Sequence, residues 1–192
     1  VSTTLRFRKV RAVWSTLRPV QWVKNLLVLP PLLFSGRIFD AGCVISSIAL
    51  FASFSVAASA VYALNDVVDR KLDRKHPEKR NRPIASGSLP VLAGCVLALA
   101  LAALSVALSA ALLPHGLPLV LAYLGLNILY SSWGKNIVIV DVMMIAAGFV
   151  VRVYAGAVAI RVEPSRWLLV CTVMLSLFLG LSKRKVELIE LG

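Results

Sequence analysis

The chain has 192 residues, of which 59% are hydrophobic, and it carries a formal net charge of +12. Soluble domains are about 45–50% apolar. The composition, with a mean hydropathy of +0.84, therefore excludes an ordinary soluble domain and predicts an integral membrane protein, with residues 1–192 as a single domain. The three cysteines lie singly in apolar segments and there are two histidines, which argues against a disulfide framework or a zinc site.

Apolar segments recur along the chain and predict an all-α, polytopic bundle of membrane helices. A helix needs about 20 apolar residues to cross a membrane. We predict six spans, the first of them weakened by Pro30 and Pro31. In chain order they are Gln21–Phe39, Ala41–Leu64, Val91–Leu113, Leu117–Trp133, Ile137–Ile160 and Trp167–Leu181.

Basic residues are distributed unevenly over the predicted loops. With a cytoplasmic N-terminus, most Lys and Arg residues fall on the cytoplasmic side, in the N-terminal segment, in residues 65–90 and around Lys135 and Lys183. This is the positive-inside pattern of a multi-pass protein, here placed in the cell (inner) membrane. Topology and attraction to anionic lipid headgroups account for much of the positive charge, so we expect no nucleic acid partner.

The second predicted span ends in an acidic cluster, NDVVDRKLDRKHPEKRNRP, which begins at Asn65. Steps of three and four residues, which keep to one helix face, connect Asp73, Asp69, Asp66, Tyr62, Ser59 and Ser55. Adjacent carboxylates repel one another unless a cation offsets them, and Mg²⁺ usually binds one or two carboxylates together with substrate phosphates.

We therefore interpret residues 65–90 as a cytoplasmic Asp-rich helix end that binds magnesium, followed by a basic loop whose Arg and Lys side chains bind phosphate. The alternative is a charged surface loop with incidental ion pairs. The scarcity of charge elsewhere, and the continuation of the polar face into the membrane, favour the metal site.

The fifth predicted span has a polar face of its own. Asp141 and Arg152 lie within one arc of the helix, about 16 Å apart along its axis. An ionisable residue inside a membrane is a functional-site hypothesis by default. The alternative for Arg152 is a buried ion pair that fixes helix register.

Polar faces also occur in the sixth and first spans. Lys183 and Glu187 continue one of them, although a solvated helix end with ion pairs four residues apart would explain the same pattern. Arg18 and Asn25 share a face beside Lys24, for which an interfacial anchor is the alternative. The predicted topology brings all these faces to the cytoplasmic side, around one cavity.

These segments resemble a known family. NDVVDRKLD at 65–73 resembles the first aspartate-rich motif of the UbiA-type intramembrane prenyltransferases, and YSSWGKNIVIVDVMMIAAGFVVRVYAG at 130–156 resembles their second conserved region. Matches to the decaprenyl-phosphate phosphoribosyltransferase subgroup are LRPVQWVKNLLVLPPLLFSG at 17–36, HPEKRNRPIASG at 76–87 and LSKRKVEL at 181–188. The resemblance covers nearly the whole chain.

The resemblance implies a helical bundle whose central cavity opens to the cytoplasm and to lipid, with a magnesium-bound diphosphate at the aspartates. In the phosphoribosyl subgroup the donor is phosphoribosyl diphosphate, the acceptor is a polyprenyl (decaprenyl) phosphate, and the product serves cell-wall arabinan synthesis. Family members usually have about nine membrane helices, so six imply either a fragment or a shortened chain. Oligomerisation is left open.

Residue roles follow from the resemblance and the polar faces together. We expect the metal ligands to be Asn65, Asp66, Asp69 and Asp73, and the catalytic residues to be Asp66, Asp69, Asp73 and Asp141. Substrate binding is expected from Arg18, Lys24, Asn25, Tyr62, Arg74, Lys79, Arg80, Arg82, Tyr130, Lys135, Arg152, Lys183, Arg184 and Glu187.

Three functions are compatible with the sequence. Phosphoribosyl transfer is favoured by the many cationic residues, and because the second acid of the family's D-x-x-x-D pair is missing: Ile145 stands four residues after Asp141. Transfer of a prenyl group from a prenyl diphosphate to an aromatic or other small acceptor is the alternative. A transporter or scaffold subunit is the third, although the acids cluster at one face rather than at the midplane and no inverted repeat is evident.

Overall fold

The computed structural model describes residues 2–132 and 137–191, with the side chains of residues 10–132, 137, 139–182 and 185. All regular secondary structure in these residues is helical, which confirms the all-α prediction. The α-helices are α1 Ser2–Leu17, α2 Pro30–Phe34, α3 Ala41–Val68, α4 Arg70–Asp73, α5 Val91–Leu112, α6 Leu117–Ser132, α7 Val138–Ala159 and α8 Arg166–Leu191, with 3-10 segments at Pro19–Val28, Arg37–Phe39 and Lys79–Asn81.

Three helices, α3, α5 and α7, are long and apolar enough to cross a membrane, and α6 and the first part of α8 are shorter apolar helices. These are the helices of a multi-pass membrane protein. They correspond to the second to sixth predicted spans, with α3 continuing to Val68 and α8 to Leu191.

The predicted first span, Gln21–Phe39, is not one helix. Pro19–Val28 forms a 3-10 segment, and α2 begins at Pro30 and ends after five residues. Pro30 and Pro31 have no backbone N–H, so neither can donate the bond that would continue a helix from the preceding turn. We call Pro19–Val28 the N-terminal 3-10 segment.

Helix α3 is the centre of the described structure. It packs against α1, α5, α6, α7 and the N-terminal 3-10 segment. Of its most apolar stretch 56% is buried, against 17% for α5, so α3 is enclosed by protein whereas α5 exposes most of its apolar surface, as a lipid-facing helix does. Phe54 of α3 packs on Tyr123 of α6, with ring centroids 5.3 Å apart.

Helix α7 approaches the N-terminal 3-10 segment closely at one glycine. A Cβ atom on Gly156 would overlap the carbonyl group of Val28. This glycine therefore allows close packing, with a 3-10 segment rather than another helix as its neighbour. The contact fixes this segment beside α7, where its polar side chains reach the cavity described below. That residues 1–192 form a single domain stays a prediction.

Candidate active site

A cavity of about 740 Å³ lies between α3, α6, α7, the N-terminal 3-10 segment and the loop that follows α4. Most of the residues predicted to bind metal or substrate line it. They are Arg18, Lys24, Tyr62, Asn65, Asp69, Asp73, Lys79, Arg82, Tyr130 and Arg152. Elements far apart in sequence thus bring these predicted residues to one site.

One end of the cavity contains a compact group of ion pairs. Asp66 and Asp73 are buried, and Nη1 of Arg82 lies 3.3 Å from Oδ1 of Asp66 and 2.8 Å from Oδ2 of Asp73. Nη2 of Arg18 donates to the same oxygen of Asp66 at 2.5 Å. We call Asp66, Asp73, Arg18 and Arg82 the aspartate end of the cavity. The two carboxylates point to one place, as the predicted helix face requires.

The loop after α4 is folded against the bundle and holds Arg82 in position. Ile84 and Ala85 are buried, and Nε of Arg74 donates to the carbonyl of Ala85 at 2.9 Å. The carbonyl of Arg82 accepts from the backbone N–H of Ser86 at 2.8 Å. Arg74, predicted to bind substrate, therefore ties the loop to the helix end.

The polar face of α3 is largely paired with the N-terminal 3-10 segment and the residues just before it. Asn25 donates to Ser55 at 3.2 Å, and Trp22 donates to Ser59 at 2.9 Å. The guanidinium of Arg18 lies 5.0 Å from the centroid of the Tyr62 ring. Much of the predicted polar face is thus satisfied inside the protein, and only its last part, from Tyr62 onward, reaches the cavity.

Another part of the cavity lining contains Arg152, which is 7% exposed. Its Nε donates to Oδ1 of Asn25 at 2.8 Å, its Nη1 to the carbonyl of Gly148 at 2.8 Å, and its Nη2 to the hydroxyl of Tyr123 at 3.0 Å. Among the ion pairs of the described side chains, none involves Arg152. The ion pair considered as an alternative for this residue is therefore not formed with any described carboxylate.

The remaining predicted residues lie elsewhere. Asp141 is fully buried in the first turn of α7, outside the described lining of the cavity, and Arg80 is exposed on the 3-10 turn Lys79–Asn81. Asn25 is fully buried and contacts Arg152. Lys135 and the side chains of Lys183, Arg184 and Glu187 are outside the described residues.

The aspartate end fits a magnesium ion that shares its ligands with a substrate. One nitrogen of Arg82 already contacts both Asp66 and Asp73, so a single cation can reach both carboxylates. Mg²⁺ typically takes one or two carboxylates and completes its shell with phosphate and water. Within the described part of the chain, no three His, Cys, Asp or Glu side chains are grouped closely enough to hold a metal. The donor set therefore suits a metal–diphosphate pair better than a cage of protein ligands.

The family is decided by comparison with known sequences. The sequence model described as "UbiA prenyltransferase family" matches residues 26–184. The chain belongs to this family. The resemblance noted from the two aspartate-containing motifs is thereby confirmed, since both fall inside the matched region.

Two curated UbiA-family relatives have the same name, decaprenyl-phosphate phosphoribosyltransferase. The one from Corynebacterium glutamicum is 40% identical over 178 residues, which cover 90% of this chain and 53% of the relative. The one from Mycobacterium tuberculosis is 38% identical over 183 residues, 93% of this chain and 61% of the relative. The chain thus spans between half and two thirds of the length of these relatives.

The fold of this UbiA-family chain is also that of a solved structure. A UbiA homolog from Archaeoglobus fulgidus, bound to DMAPP and Mg²⁺, superposes with a TM-score of 0.71 over 86% of this chain and 60% of that one, at 22% identity. At this identity the likeness establishes the fold, and the predicted membrane bundle is confirmed.

Sequence reasoning missed several polar residues of α6. Tyr123 contacts Arg152, and Ser131 donates to Oδ1 of Asn65 at 2.5 Å, which ties α6 to the end of α3. Asn127 lines the cavity between them. The signal was available: Tyr123, Asn127 and Ser131 are spaced four residues apart and so share one helix face.

Proposed function

We propose that the protein transfers 5-phosphoribose from phosphoribosyl diphosphate to a polyprenyl (decaprenyl) phosphate, in a reaction that requires magnesium. The observation that carries the proposal is the cavity itself, where two converging carboxylates are paired with Arg18 and Arg82, and where Lys24 and Lys79 line the same space. The names of the Corynebacterium and Mycobacterium relatives support the same reaction.

The reaction exchanges one bond at the anomeric carbon of ribose. An oxygen of the polyprenyl phosphate forms a bond to C1 while the bond from C1 to the diphosphate oxygen breaks, and the diphosphate leaves with the electron pair. Asp66 and Asp73 would hold magnesium, which when bound neutralises negative charge that develops on the departing diphosphate. Asn65 and Asp69 border the same place, and Asp141 stays a predicted catalytic residue without a contact to the cavity in the described structure.

Arginine and lysine side chains would bind the diphosphate together with the metal. Arg82 and Arg18 can contact diphosphate oxygens with their planar guanidinium groups once the carboxylates are shared with a metal. Lys24 and Lys79 also line the cavity and add positive charge. The family's membrane setting supports a multi-pass protein of the inner membrane, and the basic loop supports a cavity that faces the cytoplasm, where a water-soluble donor is available.

Prenyl transfer is the second candidate, and one observation favours it. The solved UbiA homolog that shares this fold was obtained with DMAPP, a prenyl diphosphate, and Mg²⁺. In that reaction the same two carboxylates would hold the metal and the diphosphate would leave an allylic carbon. The aspartate end is compatible with both donors, so the experiment has to distinguish them.

The test uses bacterial membranes that contain the protein, Mg²⁺ and radiolabelled phosphoribosyl diphosphate, with and without polyprenyl phosphate. We expect label in the lipid extract only when the acceptor is present, and none from Asp66→Asn or Asp73→Asn. Asp40→Asn is the matched control: it removes one carboxylate charge but leaves an asparagine, which is also a good helix N-cap. Transfer of a labelled prenyl group to a small acceptor, with no labelled phosphoribosyl lipid, would refute the proposal.

A further inference from the structure

We propose that Arg152, together with Tyr123 and positioned by Asn25, forms a second anion subsite of the cavity that binds a phosphate monoester. This subsite is separate from the aspartate end, where the proposed function places the diphosphate. The inference rests on that proposed function and extends it, since it concerns which part of the two substrates lies beside Arg152.

The first observation is the electrostatic state of Arg152. The side chain is 7% exposed, and its described hydrogen-bond partners, Asn25, Gly148 and Tyr123, are all neutral. The rings of Tyr123 and Phe149 lie 4.6 and 5.7 Å from its guanidinium carbon. Rings and amides solvate a cation only partly, and a buried charge is unfavourable unless an opposite charge compensates it. An anionic ligand supplies that charge.

The second observation is which donors are already used. A guanidinium group has five N–H donors, and three bonds are made, one each from Nε, Nη1 and Nη2. Each terminal nitrogen therefore keeps one N–H that can donate to a phosphate or carboxylate oxygen. The Tyr123 hydroxyl accepts from Arg152, so its own O–H proton is available for a third bond to the same ligand.

The third observation is that Arg152 and the aspartate end have different partners. Asn25, which holds Arg152, is paired with Ser55 on α3, about three helical turns before Asp66. Arg18 and Arg82 are both paired with Asp66, whereas Arg152 has no ion pair with a described carboxylate. A diphosphate bound at the aspartate end therefore leaves Arg152 available for a second anionic group, and a prenyl tail in this place would put hydrocarbon against an uncompensated cation.

Two substrates of the proposed reaction contain such a group. The donor has a phosphate on C5 of ribose, and the lipid acceptor has its own phosphate. Both are phosphate monoesters, and both can accept hydrogen bonds from a guanidinium group and a neighbouring hydroxyl. Asn25 contributes through its contacts: its amide nitrogen is bound to Ser55 and its amide oxygen to Arg152, so it fixes the direction of the guanidinium.

The test measures binding without turnover. Dissociation constants for ribose 5-phosphate and for a short-chain polyprenyl phosphate are determined by calorimetry on detergent-solubilised protein without Mg²⁺, with ribose and polyprenyl alcohol as phosphate-free controls. Because hydrogen bonds to charged groups are strong, Arg152→Gln should weaken the binding of at least one phosphate ligand by about tenfold or more. It should leave the binding of both phosphate-free controls unchanged. The phosphate ligand whose binding is weakened identifies the source of the phosphate.

A second variant keeps the test valid if Arg152→Gln fails to fold. Tyr123→Phe preserves the ring that packs on Phe54 and removes only the hydroxyl. It should weaken the binding of the same phosphate ligand by a smaller factor. Unchanged binding of both phosphate ligands in a folded Arg152→Gln protein would overturn the subsite. Phosphate binding that depends on Arg152, with no phosphoribosyl transfer by the wild-type protein, would refute the proposed function and leave the subsite supported.

Discussion

Arg82 occupies the position between the two carboxylates that a metal ion would have to take. Its Nη1 contacts Asp73 at 2.8 Å and Asp66 at 3.3 Å, while the carboxylates are almost fully buried and the arginine is 27% exposed. A hydrogen bond between charged groups contributes about 1.5–3 kcal/mol, and 1.4 kcal/mol corresponds to about a tenfold change in an equilibrium constant. Because Arg82 is partly exposed, we take the lower value. Arg82→Gln should therefore tighten binding of a divalent cation by about tenfold in the absence of donor, and weaken binding of phosphoribosyl diphosphate by a similar factor.

The assay for this prediction is the binding of Mn²⁺, as a substitute for Mg²⁺, to solubilised protein by electron paramagnetic resonance. Arg80→Gln is the matched control, because it removes the same charge from the same loop while Arg80 is exposed and makes no ion pair with a described carboxylate. An equal increase in affinity in both variants would mean that overall charge, and not competition at the carboxylates, determines metal binding. Weaker Mn²⁺ binding by Arg82→Gln would refute the reasoning directly.

Three further predictions concern stability and activity. Gly156→Ala should lower the thermal unfolding midpoint in detergent by an amount equivalent to about 1–3 kcal/mol, because the added Cβ overlaps the Val28 carbonyl; Gly125→Ala, which has open space, should not lower it. Asp40→Ala should also lower the midpoint at neutral pH, since hydrogen bonds from the backbone of Cys43 and Gly42 at the start of α3 hold the pKa of Asp40 below its usual value. That stabilisation is present above the unfolded-state pKa, so the difference from wild type should be constant down to about pH 4 and shrink as the pH falls through the folded-state pKa. Finally, Asp73→Ala should abolish transfer and leave membrane insertion intact, and substantial turnover by this variant would exclude the metal-binding role.

The sequence predicted the helices well, because each depends on a local pattern. Charge-free runs of sufficient length define α3 and α5, and helical spacing placed Asp66 and Asp73 on the same side of α3 and α4, where the structure has them sharing Arg82. The first predicted span was wrong as a single helix because hydropathy does not register backbone hydrogen bonding. Pro30 and Pro31 interrupt the bonding pattern without lowering the apolar character of the segment.

What the sequence did not predict was how the polar faces pair with one another. The face of α3 was interpreted as the wall of a cavity, but Ser55 and Ser59 are bound by Asn25 and Trp22. Pairing of this kind depends on a contact between segments that are 30 to 37 residues apart in sequence, and helical spacing carries no information about it. Helical spacing likewise could not predict the contact of Tyr123 with Arg152, because Arg152 is on another helix.

The charge inside the described cavity bears on the choice between the two donors. Its lining includes five cationic side chains, Arg18, Lys24, Lys79, Arg82 and Arg152, and the carboxylates of Asp69 and Asp73. Asp66 is paired with two of these cations, Arg18 and Arg82. Magnesium at the aspartate end would add further positive charge. A prenyl diphosphate brings one anionic group, which the aspartate end alone can bind, and leaves Arg152 uncompensated. A phosphorylated sugar donor and a phosphorylated lipid together bring three anionic groups, and this larger negative charge is the better match for a cavity lined by five cationic side chains.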